Sequence, residues 1–351
     1  MSEINKLSKN KKVIIGMSGG VDSSVSAYLL QKEGYEVEGI YMKLHNRTDG
    51  YHEENISNIQ KVTDFLGIKY HVLDLSEEFK TEVYDYFIQS YIDGITPNPC
   101  VKCNKTIKFG ALLAEMKRLG GDYLATGHYA KTDGEFIYIA DDLSKDQSYF
   151  LAQVAKDKLP YIMFPMSKYT KDEIKHIASE IPAFSHFATK KESQEICFVD
   201  TVYTDILKQH ANIDEQGDTV DTSGKIVGHH KGYMHYTIGK RKGFYVHGAH
   251  DPHFVISTNK ITNTITVGTK EDLRVSVVKA NNLNMFIDNT EFDTTVKLRY
   301  RSVLSKAHVK IENNIANIIL EEPAYGVASG QFAVFYENDK VIGSGIITEA
   351  N

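Results

Sequence analysis

Apolar and polar residues along the N-terminal third of the chain switch repeatedly between the period of a strand and that of a helix. Residues 13–15 are a β-branched run, followed by Ser-Gly-Gly and then by small and apolar residues at helical spacing as far as Leu30. Residues 35–42 alternate like a strand. Residues 56–66 have the spacing of an amphipathic helix stopping at Gly67, 69–75 read as a strand, and 77–91 as a helix. A loop containing TPNPCVKCN is predicted over 93–104, then a helix over 107–119 and a short strand over 122–128 that stops at Gly127 and His128. Residues 151–181 carry helical patterning broken at Pro160, Pro165 and Pro182.

Strands alternating with helices predict an α/β domain: a parallel sheet covered on both faces, with ligands at the carboxyl ends of its strands. The Ser-Gly-Gly loop and Met42 fall at such ends. From about residue 215 helical periodicity fades, Gly and His become frequent, and short alternating runs such as HFVISTN and TITVGT appear. The segments VKLRYRS, AHVKI, NIIL, GQFAVFY and KVIGSGII then predict a small β-barrel. The expected organisation is a nucleotide-binding domain over 1–209, a small central domain over 210–275 and a C-terminal barrel over 276–351. No internal repeat or low-complexity segment interrupts it.

A chain of 351 residues is long enough for two or three such domains. No apolar run reaches membrane-spanning length and the N-terminus is polar, so a soluble cytoplasmic protein with no membrane partner is expected. The net charge of −6 means that any nucleic acid must be met by local basic patches. Lys240, Arg241 and Lys242 form one such run in a Gly-flanked loop; read alone it is solvated surface or a phosphate contact.

The loop after the first strand points to chemistry. Gly19 and Gly20 let a backbone approach a ligand, Ser18, Ser23 and Ser24 add hydroxyls, and the helix starting near Asp22 directs unpaired N–H groups into the same space. An anion, above all a phosphate, is stabilised by such an arrangement. The spacing is neither GxxxxGK[ST] nor GxGxxG. It resembles SGGxDS, the loop of the ATP pyrophosphatases, which hold the pyrophosphate of ATP while AMP passes to an acceptor oxygen. Asp22 reads either as a Mg²⁺ ligand or as a cap of its helix.

All three cysteines, Cys100, Cys103 and Cys197, fall in candidate-site segments, and an odd number does not describe a disulfide framework. A CxxC pair alone is compatible with zinc, an iron–sulfur cluster or redox chemistry; the cysteine count excludes a Cys₄ zinc site, although histidine could complete one. Lys102, Lys105 and Lys108 are expected either to depress the Cys103 thiol pKa and meet RNA phosphate, or to form one solvated helix end. His229, His230, His235, His247, His250 and His253 crowd the central region without an HxxxH or HExxH spacing.

SGGVDSS, TPNPCVKCNKTIKF, ATGHYA, KDQSYFL, ESQEICF, YTIGKRKG, LRYR and GQFAVFY occur in this order over nearly the whole chain. Together they resemble the bacterial tRNA-specific 2-thiouridylase family, which replaces the C2 oxygen of the anticodon wobble uridine with sulfur. The resemblance implies ATP and Mg²⁺ as cofactors, with Gly16, Met17, Ser18, Gly19, Gly20, Val21, Asp22, Ser23, Met42 and Gly127 in the ATP-binding segments. It implies Cys103 as nucleophile, Cys197 as persulfide carrier, a transient disulfide between the two, and Asn98, Pro99 and Cys100 at the target base. His128, Lys145, Asp146, Gln147, Ser148, Arg299, Tyr300 and Gln331 fall on segments resembling tRNA contacts. The implied partners are tRNA, through its anticodon stem-loop, and a sulfur donor: a cysteine desulfurase, a relay protein or sulfide. No DNA partner is implied.

Cys100 stands where part of the family has aspartate. For members of this CxxC type the resemblance implies an alternative, a [4Fe–4S] cluster on Cys100, Cys103 and Cys197 whose open iron binds sulfide. The segment after Met42 is short and carries Asn58 where an acidic residue is expected. Two other classes stay open: a different ligase of the same loop type acting on a small acceptor, and a non-catalytic metal- or RNA-binding protein with a vestigial nucleotide domain.

Overall fold

The structure, a computed structural model, describes residues 11–45, 49–188, 196–199, 201–248 and 253–351. The chain forms two compact units: one of Met1–Val83, Cys100–Phe198 and Asp339–Val341, the other of Tyr84–Pro99, Val199–Asn338 and Ile342–Asn351.

The first unit is built on a five-stranded sheet. Its strands are β1 (Lys12–Met17), β2 (Glu36–Lys43), β3 (Tyr70–Asp74), β4 (Tyr123–Ala125) and, after a hairpin of β5 (Lys131–Thr132) and β6 (Ile137–Tyr138), β7 (Ile162–Met163). Their order is β3-β2-β1-β4-β7, and every pair within it is parallel. β1 lies in the middle because its sequence, KVIIGM, supplies a continuous apolar run; Val13, Ile14 and Ile15 are fully buried, as a strand covered on both faces requires. The chain lays down β1, β2 and β3 outward in one direction, then returns to place β4 on the other side of β1. This reversal is the topological switch point, and the loops leaving β1 and β4 open beside each other there.

Three local expectations need correction. The loop expected over 93–104 ends early, because a helix begins at Pro99: Pro99–Cys103 continues through a π turn, Asn104–Ala111, into Leu112–Arg118. Proline is suited to the first helical position, where its missing N–H has no partner to lose. The helix expected over 56–66 runs over Tyr51–Leu66, starting after Gly50 in a left-handed conformation. Residues 151–181 are not one interrupted helix. They hold the 3₁₀ turn Lys156–Tyr161, the two-residue strand β7 and the helix Lys171–Glu180, whose start is fixed by a capping box between Thr170 and Glu173.

The second unit contains two sheets. β8 (Gly217–Val220), β9 (Ile226–His230), β10 (Tyr245–Val246), β11 (Phe254–Asn259) and β12 (Thr264–Gly268) form a small sheet packed through Tyr236, Val255, Ile265 and Val267. β13 (Arg274–Met285), β14 (Glu291–Lys297), β15 (Ser305–Glu312), β16 (Ile315–Tyr325), β17 (Phe332–Glu337) and β18 (Lys340–Ala350) follow in the order β13-β16-β15-β14-β17-β18. Pairing of β13 with β18 closes them into an antiparallel barrel, which leaves no edge among these strands unpaired. Val278, Val296, Val309, Ile318 and Phe335 fill its interior. The expected barrel is thus present. Among the described residues no helix is long and apolar enough to cross a membrane.

Candidate active site

The Ser-Gly-Gly loop is shaped by its own serines. Ser23 Oγ accepts the Ser18 N–H at 3.2 Å and donates to the Gly20 carbonyl at 3.2 Å, and Ser24 Oγ donates to that carbonyl at 2.9 Å. Gly20 is the N-cap of the helix Val21–Lys32 and no side chain caps it, so Asp22 is not a cap. The helix N-terminus therefore keeps unpaired N–H groups facing the loop, the usual seat for an anion. Gly19 has φ +75°, and a Cβ there would lie 3.0 Å from the Asn55 carbonyl oxygen. Gly127, in the loop leaving β4, is in equally close contact: a Cβ would lie 3.1 Å from Asp22 Cβ and 3.2 Å from the Ser23 nitrogen. The structure thus brings Gly16–Ser23 and Gly127 together at the switch point. Met42 is the penultimate residue of the neighbouring strand, one position beyond the pairing of Met17 with Tyr41.

Asp22 faces a cation that motif reading did not find. Lys171 Nζ donates to its two carboxylate oxygens at 2.7 and 2.8 Å, and the Tyr129 hydroxyl donates to Oδ1 at 2.9 Å. The Lys171 side chain is only 8% exposed. The capping box ahead of it marks a helix start in the sequence, but nothing local marks a partner that lies 149 residues away.

Cys100 and Cys103, three apart on one helical turn, share a face. Cys103 is buried, Cys100 half-buried and Cys197 exposed, and all three are free thiols. Burial pushes the Cys100 thiol up to about 11, with Cys197 adding to the rise and Lys108 opposing it. Burial likewise pushes Cys103 up to about 12 against the pull of Lys108. The expectation that three lysines depress this thiol is therefore corrected. Lys102 pairs with Glu82 at 3.1 Å and Lys105 donates to Gln153 at 2.8 Å; Lys108 alone acts on the thiols, and desolvation outweighs it.

Lys108 is also the partner of His128. Its ammonium donates to Nε2 at 3.2 Å, and because an ammonium only donates, Nε2 is the accepting nitrogen; Nδ1 then carries the proton and donates to Thr126 Oγ1 at 2.8 Å. Burial first and Lys108 second hold the imidazole well below its usual pKa, so it is neutral. Beside it, Asp146 accepts from the Ala140 and Ser148 N–H groups and from Ser148 Oγ, and Gln147 Oε1 accepts the Tyr129 N–H. Asp146 and Ser148 are buried and shape this loop, while Lys145 and Gln147 are half-buried.

In the second unit the guanidinium of Arg299 donates to the Ile238 carbonyl at 3.1 Å, which ties the LRYR segment to the YTIGKRKG segment; Tyr300 is half-buried beside it in sequence. Lys240 donates to the His235 carbonyl at 2.7 Å, leaving Arg241 and Lys242 as the exposed charges of that run. Gln331 Nε2 donates to the carbonyls of Thr96 and Pro97 at 3.0 and 3.1 Å, and Thr96 N–H donates to the Ser329 carbonyl. These bonds fix the residues leading into the buried Asn98 and Pro99. His230 accepts the Gly232 N–H at Nδ1 and so donates from Nε2 to the Asn263 carbonyl, while His235 pairs with Asp214 at 2.8 Å. His250, Asn46 to Thr48, Glu192 to Glu195 and Asp200 lie outside the described residues. Among the described residues no three His, Cys, Asp or Glu side chains stand close enough together to hold a metal ion.

Residues 11–201 match the family described as the tRNA methyl transferase HUP domain, 204–269 its PRC-barrel domain, and 271–347 the aminomethyltransferase beta-barrel domain. The tRNA-specific 2-thiouridylase MnmA 1 of Aliarcobacter butzleri is 62% identical over 95% of this chain and 97% of its own. The tRNA-specific 2-thiouridylases MnmA of Sulfurimonas denitrificans and Campylobacter jejuni are 54% and 53% identical, over 97% and 96% of this chain and 99% of each relative.

Two expectations follow from this geometry. Gly127→Val forces a branched side chain against the backbone of Asp22 and Ser23, and overpacking of this kind costs about 1–3 kcal/mol; a melting temperature unchanged from the parent would contradict the close approach. With iodoacetamide at pH 7.5, peptide mass spectrometry is expected to find Cys197 alkylated first and Cys103 last. Cys103 labelling should rise about tenfold per pH unit up to pH 10 without a plateau, since its raised pKa keeps the thiolate scarce below that. Rapid labelling of Cys103 at neutral pH would contradict the burial argument.

Proposed function

This chain belongs to the tRNA-specific 2-thiouridylase family, and from that premise we propose that it replaces the C2 oxygen of the wobble uridine of tRNA with sulfur at the cost of ATP. The observation that carries the reading is the anion cradle at the switch point, formed by residues 18–20 and the N-terminus of Val21–Lys32, in the same compact unit as all three thiols.

A urea-like C2 carbonyl is a poor electrophile, so its oxygen must first become a leaving group. Attack of that oxygen on the α-phosphorus of ATP forms the C2–O–AMP bond and releases pyrophosphate, which the cradle holds. Asp22 is the carboxylate of the loop that would meet a Mg²⁺ bound with the nucleotide, and that ion would supply neutralisation of phosphate charge. Gly19 and Gly127 let Asn55 and the first turn of the helix pack directly against their backbones.

Sulfur arrives on Cys197 as a persulfide. Exposure of this thiol suits loading by a donor protein of the cysteine desulfurase or relay type. The terminal sulfur attacks C2 and AMP leaves with the former C2 oxygen. Cys103 then attacks Cys197 Sγ as a thiolate; the bond between Cys197 and the terminal sulfur breaks, its electron pair stays on the sulfur now bound to C2, and a Cys103–Cys197 disulfide remains. A dithiol reductant returns both cysteines. The raised pKa of Cys103 suits this order, because a protonated buried thiol does not discharge the persulfide early. Lys108, the cation acting on this thiol, is the group that favours its thiolate.

The target uridine meets Asn98, Pro99 and Cys100, and Gln331 fixes Thr96 and Pro97 just ahead of them. In the first unit Lys145 and Gln147, on a loop that Asp146 and Ser148 support from within, and in the second unit Arg299, Tyr300 and the exposed Arg241 and Lys242 are the groups offered to the anticodon stem-loop. A local basic surface on a chain of net charge −6 makes binding steeply salt-dependent.

Incubated with unmodified tRNA, Mg·ATP, a persulfide donor and a dithiol, the protein is expected to yield 2-thiouridine by nucleoside mass spectrometry. ATP consumption without thiolated product would favour a different ligase of this loop type. Cys103→Ser and Cys197→Ser are each expected to lower thiolation by at least about a hundredfold while tRNA affinity stays within about threefold. Full activity of either variant would remove that cysteine from the mechanism.

A further inference from the structure

The anion cradle has an electrostatic gap. Between Val13 and Gln31 the chain carries no lysine or arginine, and the loop lacks the lysine that phosphate loops of the GxxxxGK[ST] kind place on the phosphates. The hydroxyls of Ser23 and Ser24 are engaged with Gly20, so the loop itself offers backbone N–H groups and Ser18. The one carboxylate at the mouth, Asp22, repels phosphate.

The ammonium of Lys171 lies against that carboxylate. Its backbone is pinned: Lys171 N–H donates to Asp142 Oδ2 at 3.0 Å, and the capping box of Thr170 fixes the first turn of the helix. The side chain stays a flexible stem with a compact charge. Tyr129 holds Asp22 independently, so the carboxylate keeps a donor when the ammonium turns away.

We propose that Lys171 is the phosphate-binding cation of the nucleotide site, held on Asp22 until pyrophosphate oxygens take its ammonium and leave Asp22 to the Mg²⁺ of the nucleotide. The proposal rests on reading the Ser-Gly-Gly loop as the pyrophosphate site. A cation supplied from the N-terminus of Lys171–Glu180 then does for this loop what the built-in lysine does elsewhere, and couples the position of that helix to nucleotide occupancy.

Calorimetric titration of the full chain with inorganic pyrophosphate in EDTA, and with Mg·ATP, tests it. Lys171→Met is expected to weaken pyrophosphate at least about thirtyfold in EDTA, the size of a lost charge-assisted contact, and Lys171→Arg to restore binding to within about fivefold. Lys171→Met also leaves Asp22 without its cation, so the deciding variant is the double substitution Asp22→Asn with Lys171→Met. It has the same net charge at the pair as the parent and no unpaired carboxylate. Under the proposal it still binds pyrophosphate at least about tenfold more weakly than the parent. Parent-like affinity in the double variant, or in Lys171→Met alone, would show that Lys171 only neutralises Asp22 and would overturn the proposal. Failure of the parent itself to bind pyrophosphate and ATP would instead overturn the nucleotide reading of the loop.

Discussion

Everything in the first unit follows from β1 being hydrogen-bonded on both sides, to β2 at Lys12–Met17 and to β4 at Val13–Ile15. A strand so placed has no face or edge left for water, which is why KVIIGM is apolar where its side chains pack and why the polar residues begin at Ser18, where the sheet ends. Because the chain reverses between β1 and β4, the two loops leaving these strands crowd one another. Gly127 is in contact with Asp22 and Ser23 as a result, and the helix N-terminus after β1 opens into the gap.

Burial next to that gap sets the chemistry of the side chains. Removing the Cys103 thiol and the His128 imidazole from water disfavours their charged forms, and in both cases this outweighs or reinforces the one ammonium nearby. A protonated thiol and a neutral histidine are the resting state. The ammonium of Lys108 is shared between them: it lowers the thiol pKa and fixes the histidine tautomer. In the second unit, polar contacts serve position. Gln331 fixes Thr96 and Pro97, Arg299 fixes Ile238, and the histidines of the central sheet bind backbone and Asp214.

Much of this is legible in local pattern. A β-branched run, a Ser-Gly-Gly turn and a run of small residues are sufficient to place strand, loop and helix, since each is set by neighbours in the chain. The alternating segments after residue 276 identify a barrel because period-two patterning depends only on which face is covered. The cysteine segments were recognisable as segments, although the start of their helix at Pro99 was read as loop; a proline at the first helical position looks the same in sequence as a proline that ends a loop. β7 was missed because two residues cannot display a period.

Sequence alone therefore determined the order of elements, the Ser-Gly-Gly turn and the segments that hold the cysteines, all properties of residue type and near neighbours. Tertiary structure decided which charges meet. Lys171 reaches Asp22 across 149 positions, Lys102 and Lys105 turn to Glu82 and Gln153, and desolvation raises Cys103 where a count of nearby lysines pointed the other way. The physical reason is that electrostatic energy depends on distance and on exclusion of water, and neither is a function of spacing along the chain.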